Sequence, residues 1–498
     1  MRTMTSKHSF WLWTIPALCA AADAAADYRT DIGYAALQAS LGIDIPTGAG
    51  VNVVQVEAPI GTDANGKAIF APDSSQSQFS GKTITVPVPG SPTASGHATG
   101  VAGLFYGNSA IANGIGNITV YEVNDWIATL SNPTNGRAAA PVNGSRIANH
   151  SWVGNGNTPV DTAAILRLVD RQVVRNEYIQ IVGMANGASD YALLGGAYNT
   201  IAVGRTDGHH DYGSDAVDSS YVAGRTRPDL VAPQSTTSAA TPLVSAAAAL
   251  LVETGHNGAA SLSDGSSSIS GVGTVYDAER SETIKAALMA GADRFTSNIS
   301  TSANITDYRA AGHQTLNGLD DRFGAGQLNV FNSYRIIAAG EQNSVEDGGS
   351  ANIGYFGFDY DAAFGGSAGS NATASYHFVA DADLQMAVSL VWNLGVSNDS
   401  AKTTTLHNLD LALFDLTTQS IAAYSESDVD NSENLWVSLI NGHSYQLQVK
   451  SGESGNFSWD YSMAWRMSAV AAPVPLPGAV YLFASAMAGL VWGARRKS

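Results

Sequence analysis

An α/β domain built on a mainly parallel sheet, followed by a small antiparallel β-sandwich, is the architecture this 498-residue chain predicts. Two observations carry that expectation. Between about Val51 and Ala339, apolar runs of strand length alternate with helical segments, the pattern of a parallel sheet covered on both faces. Past a polar stretch at 341–350, glycine-rich towards its end, the apolar period becomes two and turn dipeptides separate some of the runs. Charged residues make up only 14% of the chain, against about 25% in ordinary soluble domains, and Gly, Ser, Asn and Ala fill the gap.

Each element has its own signal. Val51–Val56 is a valine-rich run, read as a strand buried on both faces, with Glu57 at its carboxyl end. Gly96 and His97 open a small-residue segment that turns apolar, which predicts a helix over His97–Tyr106. Ile118–Val123, Ile147–Ser151, Ile179–Met184 and Thr200–Val203 read as further strands, and Thr162–Val174 and Glu282–Ala290 as helices. A helix over Thr241–Glu253 follows Ser238, with Pro242 expected in its first turn, where a missing N–H costs nothing. Gly255–Gly273 is rich in Gly and Ser and reads as a flexible insertion. Beyond the linker expected at 341–350, Ala372–Phe378, Leu384–Trp392, Leu409–Phe414, Ser420–Tyr424, Leu435–Ile440 and Tyr445–Val449 alternate apolar with polar. Asn441-Gly442 and Ser451-Gly452 supply turns, and the set reads as a β-sandwich over 351–470.

The two ends read as targeting segments. Residues 1–26 carry Arg2 and Lys7, a short apolar run from Phe10 to Ala22, and Ala24-Ala25-Ala26 before Asp27, the order of a secretory signal. The only cysteine, Cys19, lies inside it, so a processed chain would have neither thiols nor disulfides. At 471–498, a proline motif (Pro473, Pro475, Pro477) precedes an apolar run from Ala479 to about Gly493, and Arg495-Arg496-Lys497 follows. The formal net charge of −18 argues against a nucleic-acid partner.

Four side chains fall where strands end or helices begin, the places where sites gather in open α/β sheets. They are Glu57, His97, Asn186 after the Ile181–Met184 run, and Ser238. An acid, a base, an amide and a hydroxyl are the parts of acyl-transfer chemistry. A hydroxyl at a helix start also sits beside unpaired backbone N–H groups and the positive end of the helix dipole.

At these residues the chain resembles the subtilases. Thr237-Ser238-Ala239-Ala240-Thr241-Pro242 is similar to their Gly-Thr-Ser-Met-Ala-Thr-Pro nucleophile motif, and His97–Gly103 to their His-Gly-Thr-His-Val-Ala-Gly. Arg227-Pro228-Asp229-Leu230-Val231-Ala232-Pro233 looks like Lys-Pro-Asp-Ile-Val-Ala-Pro, and the likeness runs from about Val51 to Ala339. It implies a subtilisin-like three-layer domain over 27–340 and a secreted serine endopeptidase with a polypeptide substrate. In that reading Ser238 is the nucleophile, His97 the base, Glu57 the acid and Asn186 an oxyanion donor, and Ser151, Trp152, Val153 and Gly154 line the substrate cleft. Three departures stand out: Glu57 where the family usually has Asp, Ala185 where it has Gly, and Thr236 where it has Gly. A catalytically impaired scaffold, serving as a binding or structural protein of the cell envelope, is the alternative, and an esterase using the same residues a third reading.

No cofactor is required by this chemistry, and no metal is assigned to the site. The run Asn408–Asp415 resembles a strand of the small domains that follow many secreted peptidases, with Asp410 and Asp415 as candidate ligands for a structural Ca2+. His209-His210-Asp211 reads as a solvated loop rather than a metal site. The segment 471–498 resembles a PEP-CTERM sorting tail, which implies an exosortase-type partner, membrane attachment through the tail, and a secreted or envelope-anchored location.

Overall fold

The computed structural model describes residues 27–87, 93–131, 144–187, 193–350, 352–365, 373–454 and 457–469. The signal and sorting-tail expectations fall outside the described residues. The first unit is built on seven strands: β1 (Val53–Glu57), β2 (Thr83–Thr85), β3 (Asn117–Glu122), β4 (Ile147–His150), β5 (Ile179–Gly183), β6 (Ile201–Arg205) and β7 (Leu230–Ala232). All pairings are parallel, in the order β2-β3-β1-β4-β5-β6-β7. Among the helices that pack against this sheet or against one another are α1 (Gly96–Phe105), α2 (Pro159–Asn176), α3 (Thr237–Asn257), α4 (Ser281–Gly291) and α5 (Val330–Ala338).

The continuous apolar runs of the central strands follow from burial on both faces. Along β1, Val53 joins the core under α3, while Val54 and Val56 join the opposite core under α2. The sheet is thus the middle of three layers, as expected. Helix α3 runs through the core, buried at every residue from Ala240 to Val252. Among the described residues it is the one helix long and apolar enough to cross a membrane, and its burial marks it as a core helix.

Two expectations need correction here. Helix α3 starts at Thr237, so Pro242 lies in its second turn rather than its first. Gly255–Gly273 is not one flexible insertion: it holds a short helix, Ala259–Leu262, and one strand of the hairpin Ser266–Ile269/Gly273–Tyr276. The Gly-Ser composition supplies the turn of that hairpin instead of a loop.

The second unit has two four-stranded sheets. Its strands are β8 (Phe356–Phe364), β9 (Thr373–Val379), β10 (Leu384–Val391), β11 (Leu409–Asp415), β12 (Ser420–Ser425), β13 (Ser432–Leu439), β14 (Ser444–Ser451) and β15 (Trp459–Ala469). One sheet has the order β8-β15-β10-β13 and the other β9-β14-β11-β12, all antiparallel. Residues 341–350, expected as a linker, lie against this unit: Gln342 N–H donates to Phe358 O at 2.9 Å and Val345 N–H to Ser375 O at 2.8 Å. Asp415 Oδ1 accepts the N–H groups of Thr417 and Thr418, and its Oδ2 lies 2.8 Å from His443 Nδ1. Asp410 pairs across the sheet with Lys450. Among the described residues, no group of three His, Cys, Asp or Glu side chains is arranged to hold a metal ion.

The sandwich is joined to the parallel-sheet unit through buried groups. Helix α4, buried at every residue, packs against β10 and β15. Arg466 donates to the carbonyls of Ala290 and Ala292, each at 2.9 Å. Asn199 and Leu394 exchange two hydrogen bonds, and Thr226 N–H donates to Asp430 Oδ1 at 2.8 Å. Phe358, Val391 and Ala464 belong to the same apolar core as α3 and α4.

Beneath the sheet, Asp229 ties β6, β7 and α4 together. Its Oδ2 accepts Ala202 N–H at 2.7 Å, and its Oδ1 lies 3.1 Å from Lys285 Nζ and 3.4 Å from Arg227 Nη1. Burial lowers the Lys285 pKa to about 8, with Asp229 opposing the shift. Asp229→Ala leaves two buried cations without a counter-charge, and we expect it to cost roughly 3–5 kcal/mol, read as a lower urea midpoint. Between pH 8 and 10.5 the unfolded Lys285 binds a proton that the folded one does not. Its contribution to wild-type stability therefore rises with pH across that window.

Candidate active site

Strand β1 delivers Glu57 to the carboxyl edge of the sheet, where the side chain is 1% exposed. Its Oε2 lies 2.9 Å from His97 Nδ1. Its Oε1 accepts Gln55 Nε2 at 2.7 Å. The same Gln55 amide donates to Ala98 O, and its carbonyl accepts the Tyr106 hydroxyl at 2.6 Å. Burial, and then the Glu57 charge, push the Tyr106 pKa well above its ordinary 10, so this hydroxyl stays a donor. The chain Tyr106–Gln55–Glu57–His97 is therefore polarised in one direction and holds the imidazole with its proton on Nδ1.

Burial raises the Glu57 pKa, while the His97 hydrogen bond, the His97 charge and the Gln55 hydrogen bond act against that rise. The hydrogen bond from Glu57 raises the His97 pKa above 6.5, with partial burial opposing. Ser95 caps α1 by accepting Ala98 N–H, which places His97 as the second residue of the helix. Sequence reasoning found Glu57 and His97 but missed Gln55 and Tyr106. The available signal was a glutamine inside the apolar run Val53-Val54-Gln55-Val56, where an amide needs buried partners.

Helices α1 and α3 pack together, and Ser238 is likewise the second residue of its helix. The first-turn N–H groups of α3 sort themselves out one by one. Thr237 N–H donates to Asn186 Oδ1 at 3.0 Å, and Ala239 N–H to the Thr236 hydroxyl at 3.2 Å. Ser238 N–H has no partner among the described residues. Because Asn186 spends its oxygen on Thr237, its NH2 group is left facing outward, also without a partner among the described residues. Strand β5 lies so close under α3 that a Cβ on Gly183 would come within 2.9 Å of Thr241 Oγ1, which brings Asn186 up to the helix start.

Pro242 has a part in this. It lacks the N–H that would bond the carbonyl four residues back, which is that of Ser238. Ser151 Oγ donates to that carbonyl instead, at 3.0 Å. Ser151 Oγ in turn accepts Asn149 Nδ2, and Asn149 Oδ1 accepts Ser245 Oγ, each at 2.9 Å. The end of β4 is thereby stitched to the first and third turns of α3.

The Ser238 hydroxyl donates to Ser151 O at 3.3 Å, and among the described residues it makes no hydrogen bond to His97. The hydroxyl must leave Ser151 O before it can donate to His97 Nε2. Such loose geometry is common in catalytic groups without substrate.

The other residues singled out in the sequence are placed as follows. Trp152 is half-buried, with Nε1 3.3 Å from His150 Nδ1; burial lowers the His150 pKa to about 3, so His150 is a neutral acceptor there. Val153 is exposed, and Gly154 lines a cleft beside Met184. His210 is not in a solvated loop as expected. It is buried, accepts Arg205 N–H on Nδ1, donates from Nε2 to Arg322 O, and has its pKa lowered by burial to about 4.

No family model matches the chain, and no curated protein matches it. Among solved structures, the patellamide maturation protease PatA is 17% identical, covering 59% of this chain and 98% of that one with a TM-score of 0.37. The epidermin leader peptide processing serine protease of Staphylococcus aureus is 13% identical over 67% of this chain and 84% of that one, with a TM-score of 0.38. The pre-peptidase C-terminal domain of a Bacillus anthracis collagenase is 18% identical over 24% of this chain and 95% of that one, with a TM-score of 0.18. Likenesses of this size do not bear on mechanism, which rests on the site's own geometry.

Proposed function

We propose that the chain is a serine endopeptidase that works through an acyl-enzyme. The observation that carries this reading is the buried Glu57 held 2.9 Å from His97 Nδ1, on a helix packed against the one that Ser238 opens. Ser238 Oγ swings from Ser151 O and attacks the scissile carbonyl carbon while His97 Nε2 takes its proton. The carbonyl oxygen becomes an anion facing Ser238 N–H and Asn186 Nδ2. His97 then returns the proton to the leaving amine. Water then attacks the acyl carbon while His97 takes its proton, and as the bond from that carbon to Ser238 Oγ breaks, His97 passes the proton to Oγ and the acid leaves. Glu57 stays ionised throughout and stabilises the imidazolium.

Asn186→Ala removes one of the two oxyanion donors. We expect kcat to fall by on the order of 10²–10³ with KM little changed, measured on a peptide substrate.

A binding protein on this scaffold is the second reading, favoured by the Ser238 hydroxyl being turned to Ser151 O. A fluorophosphonate probe separates the two: the peptidase is labelled at Ser238, and a scaffold without a working base is not. The proposal extends to an exported protein with residues 1–26 removed and residues 471–498 recognised by a membrane sorting enzyme. Mass spectrometry of the two termini of the cell-associated and released protein tests that part.

A further inference from the structure

A cavity of about 470 Å³ opens beside the site, and its walls carry both apolar and acidic groups. Leu166, Met184, Leu193 and Val217 supply the apolar walls, and Asp211 and Asp215 the carboxylates. Asp211 is tied to the oxyanion side of the site, because its N–H donates to Ala185 O at 2.9 Å, one residue before Asn186. One of its oxygens accepts Tyr212 N–H at 3.0 Å. Among the described residues neither carboxylate has an ion-pair partner; Asp211 is half-buried and Asp215 exposed at the mouth. Burial, and further the Asp215 charge, hold the Asp211 pKa above its ordinary value. Two like charges beside an apolar channel are mutually unfavourable until a cation enters between them.

Resting on the peptidase reading, we infer that this cavity receives the side chain of the residue whose carbonyl is attacked, and that it selects lysine or arginine there. The attacked carbonyl oxygen lies at Asn186, and the cavity opens next to the Ala185–Asp211 contact, so the side chain on that same residue has the shortest path in. A lysine or arginine places its methylene stem along Leu166, Met184, Leu193 and Val217 and its charged head at the two carboxylates. The cavity has room for such a side chain.

The test uses the full processed protein and fluorogenic peptides that differ only at the residue before the cleaved amide. Arg and Lys peptides should exceed Leu and Phe peptides in kcat/KM by about tenfold or more. The double variant Asp211→Asn/Asp215→Asn should lose that ratio while still cleaving the Leu peptide, and Asp215→Lys should favour a Glu peptide. If the wild type prefers Leu or Phe while fluorophosphonate labels Ser238, the selection of a basic residue is wrong and the peptidase reading stands. If the double variant keeps the Arg preference, the two carboxylates are not its source and the inference falls. If no peptide is cleaved and Ser238 is not labelled, the peptidase reading falls and this inference with it.

Discussion

Replacing Ser238 by Ala should reduce peptide hydrolysis by on the order of 10⁶ in kcat, with substrate still bound. In the proposed mechanism the alcohol oxygen is the atom that forms the acyl bond, and Ala offers nothing in its place. The rest of the site should survive the change. The Ser238 carbonyl still accepts Ser151 Oγ, and the Asn186–Thr237 hydrogen bond does not involve the hydroxyl. A residual rate above that in water is expected from the oxyanion donors alone. Circular dichroism matched to wild type, with hydrolysis lost, is the expected pair of results. Unchanged turnover in a folded Ser238→Ala protein would remove the assignment.

Glu57→Gln should cost on the order of 10⁴ in kcat, for a reason that lies in the hydrogen bonds around it. Tyr106 fixes Gln55 with its NH2 group turned to position 57, so residue 57 must offer an acceptor on that side. A glutamine that does so turns its own NH2 group to His97 Nδ1. The imidazole must then accept on Nδ1 and carry its proton on Nε2, the wrong nitrogen for taking a proton from Ser238. The pH dependence should change in step. The base works only when neutral, and Glu57 raises its pKa above 6.5, so wild-type kcat/KM should fall as pH drops through a value above 6.5. In Glu57→Gln that acid limb should move to lower pH. Rates measured from pH 5 to 9 on both proteins decide this.

How much of the fold and site was legible in the sequence depended on whether a residue's surroundings were local. Strand β1, helix α1 and helix α3 were readable because continuous burial leaves unbroken apolar runs, and His97 and Ser238 stand next to them. The chain from Tyr106 through Gln55 to Glu57 was not, since only the packing of α1 beside β1 brings Tyr106 to Gln55. Strands β8 and β15 were missed for a related reason. Their sheet faces the sandwich interior on one side and α4 on the other, so β15 is buried at consecutive residues from Tyr461 to Trp465 and shows no alternation of period two. Strand β8 is interrupted by a register shift between Asp361 and Phe364. Pro242 was noticed but misplaced, because the helix gains a turn through the Thr236 cap, which depends on backbone geometry rather than composition.

Helix α4 has one flank on the parallel sheet's core and the other on the sandwich, and neither half of the protein can leave without stripping it. Heating should therefore melt the chain as one calorimetric endotherm rather than two. A version ending at residue 340 should be insoluble rather than a smaller folded protein. The sandwich is in that sense an inner wall of the parallel-sheet unit, and a nick between the two units would not set either of them free.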